Sequence, residues 1–119
     1  MNRLLELAES IGRSDTMKNS MVAFIPGLLA DYARGGRTKA RLFADLAKQT
    51  REAQFYFRHM PKAMILDNQR IFKKEFTFAD KIWHLLEKHA GEEDAEFDAL
   101  LEKCMEDYLR SLSEDDDPV

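Results

Sequence analysis

Residues 37–59 read RTKARLFADLAKQTREAQFYFRH. At about 100° per residue, the advance of an α-helix, Leu42, Phe43, Leu46, Ala53 and Phe57 fall on one side. Arg37, Arg41, Lys48, Arg51 and Arg58 fall on the other. Sustained over the whole stretch, that period predicts a long amphipathic helix at the centre of an all-α fold. Phe55 sits within the basic stripe, away from the apolar face. A basic ridge holding an aromatic is a footprint for phosphates and a stacked base. It is equally what a solvated helix face presents.

The charge extends outward from this helix. Residues 34–74 hold eleven Lys or Arg and only three acids, in a chain whose formal total is −4. Residues 1–86 sum to +6 and residues 87–119 to −10. A division of this size suits polar docking within the fold, or partners of opposite charge. The isoelectric point of about 5.4 therefore does not exclude an anionic partner.

The flanking segments also read as helices. Leu4, Leu5, Ala8 and Ile11 share a face over residues 3–12, with Gly12 as a stop. Ser14 or Asp15 is placed to cap the next element. Met17, Met21, Phe24, Ile25, Leu28 and Tyr32 then recur at helical spacing, and Pro26 predicts a kink or break among them. Gly35 and Gly36 make a turn, and Thr38 is a possible cap for the central helix. Pro61 suits the first turn of a helix running to about residue 74. Thr77 and Asp80 have capping-box spacing ahead of Phe78, Ile82, Leu85, Leu86 and His89, with Trp83 flanking that face. Gly91 reads as a stop, and Glu92, Glu93 and Asp94 open a last helix. Phe97, Leu100, Leu101, Cys104, Met105, Tyr108, Leu109 and Leu112 give that helix a wide apolar face. No stretch alternates as a strand would. The expectation is a compact array or bundle of five to six helices, one domain over residues 1–113, and an acidic disordered tail over 114–119.

Little in the chain suggests catalysis. Cys104 is the lone cysteine, which excludes an intrachain disulfide and a cysteine metal cluster. It lies in an apolar stripe and reads as a small buried hydrophobe. His84 and His89 are five apart and diverge on a helix, and no Glu-x-x-His motif occurs. The Gly35 and Gly36 turn lacks the pattern of a phosphate loop. No catalytic residue, cofactor or metal is expected. The longest apolar run, residues 21–30, is half the roughly twenty residues that span a bilayer. No membrane association is expected, and the first residues lack a signal-peptide pattern, so a cytoplasmic location is expected.

The expected function is that of a non-enzymatic regulatory or accessory protein. It would bind DNA or RNA through phosphate contacts from Arg37, Arg41, Lys48, Arg51, Arg58, Arg70, Lys73 and Lys74, with Phe55 stacking on a base. The alternative is an adaptor, assembly subunit or inhibitor that binds an acidic or basic protein through its segregated charges. Met17, Met21, Phe24, Leu28, Leu101 and Tyr108 are the interface candidates for a homodimer.

Overall fold

The computed structural model describes residues 2–89 and 93–114. Over these residues the chain forms seven helices: α1 (Arg3–Gly12), α2 (Asp15–Asn19), α3 (Ile25–Ala33), α4 (Lys39–Arg58), α5 (Lys62–Ile71), α6 (Lys73–His89) and α7 (Asp94–Ser113). The fold is the all-α bundle that the periodicity predicts, with one helix more. The stop at Gly91, the place of Glu92 and the acidic tail from residue 115 onward lie outside the described residues.

Side-chain caps set three of the seven helix starts. The Asn2 side chain accepts from the Leu5 amide at 3.2 Å, Ser14 from Met17 at 3.4 Å and Thr38 from Arg41 at 3.1 Å. Each satisfies an amide that the first helical turn leaves unpaired. Two expectations are corrected. Pro26 kinks nothing, because it lies in the first turn of α3, where its missing N–H costs no helical bond. The break falls upstream, over residues 20–24. Thr77 and Asp80 open no helix either. Phe72 interrupts the backbone at φ −107°, ψ 29°, so α6 begins at Lys73 and Thr77 is already in its interior.

Gly35 and Gly36 close α3. The Gly36 amide donates to the Asp31 carbonyl at 2.8 Å and the Gly35 amide to the Tyr32 carbonyl at 3.0 Å. This double closure requires a left-handed residue, and Gly35 has φ +84°. A side chain there is strained. Gly35→Ala is expected to cost about 1–2 kcal/mol in urea unfolding. A loss under a few tenths of a kcal/mol would mean the turn rearranges freely.

The core draws Leu7, Ala8 and Ile11 from α1, Met17 from α2, and Ile25 and Leu29 from α3. It draws Leu42 and Leu46 from α4, Phe78, Ile82 and Leu86 from α6, and Phe97, Leu101 and Met105 from α7. α5 contributes nothing: none of its side chains is buried. α4 enters the core with its first half only and then leaves it. The end of α4 and all of α5 therefore form an arm. A Cα radius of gyration of 14.5 Å, against about 13.5 Å for a compact chain of this length, fits that extension.

Among the described residues one acidic side chain lies inside the core. Glu75 is 2 % exposed. The Tyr108 hydroxyl donates to its Oε2 at 2.5 Å, and the Thr16 hydroxyl donates to the same oxygen at 2.9 Å. This contact joins α2, α6 and α7.

Candidate functional site

The nine sequence-predicted contact residues do not form one site. Arg37 is spent within the fold: its guanidinium is ion-paired to Asp45 and, at 3.3 Å, to Asp31, leaving its side chain 23 % exposed. Asp31 and Asp45 engage its guanidinium within the fold. Arg41 is exposed but shares Asp45 at 3.2 Å. Lys48, Arg51 and Arg58 are exposed, and among the described residues no ion pair involves them. Phe55 lies between them, 58 % exposed, with its ring 4.5 Å from that of His59.

Arg70, Lys73 and Lys74 belong to a different face. They line a cleft of about 860 Å³ with residues of α1, α2, α6 and α7, and no α4 residue lines it. Lys74 is tied down there, its Nζ donating to the Ser111 carbonyl. Among the described residues α7 forms no ion pair with Lys48, Arg51 or Arg58. Its acids pair with Arg3, which reaches Glu106 at 3.1 Å, and with Lys39 at the very start of α4, which reaches Asp94 at 3.3 Å.

The structure places three of the expected interface residues in the core: Met17, Leu101 and Tyr108 are at most 4 % exposed and are enclosed by the chain's own helices. Leu28 is half-buried against the same core. Met21 and Phe24 are different, because both line a groove between α4 and α6.

That groove was not legible in the basic stripe. α4 and α6 touch through two aromatic pairs, Phe43 with Trp83 at 5.3 Å and Phe57 with Phe76 at 5.6 Å between ring centres. Between these pillars α4 carries Ala47, Thr50 and Ala53, and α6 carries Ala79. Such small side chains cannot fill the gap, and a cleft of about 790 Å³ remains. It continues past Gln54, Phe57 and Phe76 into a second hollow of about 490 Å³, beside Ile65 of α5. Arg51 and Arg58 stand along the α4 edge, and Asp80, His84 and Glu87 along the α6 edge. The sequence did hold a signal. Phe76, Ala79 and Trp83 give α6 a second apolar face beside Phe78, Ile82 and Leu86, and a helix with two apolar faces has two surfaces to cover.

The arm adds the exposed apolar surface. Phe55, Tyr56, Met64, Leu66 and Ile71 are each more than half or close to half exposed, at 50–64 %. Among the described residues no group of three or more His, Cys, Asp or Glu side chains could hold a metal ion, and no helix is long and apolar enough to cross a membrane. No protein-family model, curated protein or solved structure matches the chain.

Proposed function

We propose that the protein is a non-enzymatic interaction module, an adaptor or assembly subunit, that binds another protein through the α4–α5 arm. The supporting observation is α5 itself, which carries Met64, Leu66 and Ile71 and buries none of its side chains. A ten-residue helix is marginal alone and normally depends on packing of its apolar face. Exposed apolar patches of this kind mark contact sites on soluble proteins. The cations beside it, Lys48, Arg51 and Arg58, favour an acidic partner and speed its approach. A Tyr56→Ser, Met64→Ser, Leu66→Ser variant tests this. It should unfold within about 0.5 kcal/mol of the wild type, because these are exposed surface positions. Crosslinking in native extract should capture a partner with the wild type and lose it with the variant. Identical capture by both overturns the reading.

A second reading, nucleic-acid binding, is supported by exposed Phe55 among three unpaired cations. Magnitude ranks it second. Each phosphate neutralised adds roughly 0.7–0.9 to the salt slope, so three cations give a slope of only about −2 to −3 and weak binding. Titration of single-stranded DNA, duplex DNA and RNA at several salt concentrations tests it. A steeper slope, abolished by Lys48→Ala, Arg51→Ala, Arg58→Ala, would put nucleic acid first.

A further inference from the structure

The groove between α4 and α6 has a floor, two pillars and two unlike edges. Its floor is apolar and its aromatic walls are only half-covered. The lining runs from Ala47 to Arg58 on α4 and from Phe76 to Glu87 on α6, each about 17 Å at 1.5 Å per residue. That length matches a helix of about three turns laid along the groove. The α4 edge carries Arg51 and Arg58, with Lys48 one turn beyond Arg51. The α6 edge carries Asp80 and Glu87 around His84. Glu52 is the one exposed acid on α4, and it does not line the groove.

From this we infer that the groove seats one amphipathic helix of a partner protein, with an acidic flank along α4 and a basic flank along α6. The inference rests on the protein-interaction reading and specifies the partner. An apolar stripe seated in an apolar groove supplies the burial, and the flanks choose among helices. Because the edges differ in sign, they also set the direction in which the helix lies. The chain's own unpartnered helix is a poor match. α5 carries Lys62 and Arg70 against a single acid, Asp67, so a second copy would bring like charge to the α4 edge.

The chain supplies its own reporter. Trp83 is the only tryptophan, and it lines the groove. Three synthetic helical peptides share one apolar stripe: the first has one acidic and one basic flank, the second two acidic flanks, the third two basic flanks. Titrated against the full-length protein, the mixed-flank peptide should shift Trp83 emission and bind about tenfold more tightly than either of the others. Arg51→Glu, Arg58→Glu lies on the surface and makes both edges acidic. In that variant the all-basic peptide should bind best.

Equal affinity for all three peptides overturns the inference, and so does the absence of any Trp83 response. A Trp83 shift that depends on protein concentration alone also overturns it, because the occupant is then a second copy. If the peptides fail while the Tyr56, Met64, Leu66 variant still loses its partner, the groove assignment falls and the interaction module stands. If the peptides bind by pattern while that variant keeps every partner, the arm reading falls and the groove alone is the docking surface.

Discussion

Phe97→Ala should cost the protein about 3–5 kcal/mol of stability, whereas Phe55→Ala should barely register. Phe97 is fully enclosed where α3, α4 and α7 meet. The Tyr32 ring stands edge-on to it at 5.8 Å, and the Lys39 ammonium lies 5.3 Å from its ring centre. Truncation removes the transfer free energy of the ring and leaves a cavity, together about 3–5 kcal/mol. The aromatic pair adds about 0.5–1.5 kcal/mol and the cation–π contact about 0.5–1 kcal/mol, partly counted already in the truncation. A small domain is stable by only about 5–15 kcal/mol, so a large share of the margin goes. Phe55, on the arm, loses contacts mainly with water, and its removal should change stability by less than about 0.5 kcal/mol. Urea midpoints for the two variants decide the matter. A Phe97→Ala loss below about 2 kcal/mol would show that the three helices close over the gap.

Glu75→Ala should destabilise the fold through the loss of its hydrogen bonds. It takes away the acceptor shared by the Tyr108 and Thr16 hydroxyls. Thr16 is exposed and can turn to water, whereas Tyr108 is 4 % exposed and is left with the Ser14 and Thr16 hydroxyls as neighbours. Loss of the shared acceptor and of the side chain costs about 1–3 kcal/mol. Glu75→Gln keeps an acceptor oxygen and should lose less than half of that. If Gln and Ala are equally destabilising, the hydrogen bonds are not what matters.

The same contact makes a prediction in pH. Burial, and then the bond to Glu75, push the Tyr108 phenol from 10.0 up to about 12. The folded state therefore holds the Tyr108 proton where the unfolded state releases it. The resulting stabilisation is fully present below pH 10 and is lost as pH rises toward 12. Tyr32 is raised as well, by burial and by its 2.6 Å bond to Asp98, and acts in the same direction. Tyr108→Phe should flatten the alkaline limb of the stability profile without removing it. An unchanged limb between pH 10 and 12 would exclude Tyr108 as its source.

What the letters conveyed was local. α1 was legible to the residue from its stripe and Gly12, and α4 from its period and the Thr38 cap. The Gly35 turn was readable because few residues other than glycine tolerate that backbone. What escaped depends on contacts distant in sequence. Glu75 is buried because Tyr108, 33 residues later, and Thr16, 59 residues earlier, meet it. Met17, Leu101 and Tyr108 looked available to a second copy because periodicity marks an apolar face without saying what covers it. The ridge was visible as charge, but which cations stay unpaired was decided by Asp31 and Asp45. The groove needed two helices placed side by side.

The absence of buried residues in α5 also bears on how such a chain can vary. A substitution in Met64 or Leu66 touches the arm's external contacts and leaves the core's interior untouched. Selection for folding and selection for recognition therefore fall on separate sets of positions. The arm can be rewritten toward a new target without first securing a more stable scaffold to absorb the change.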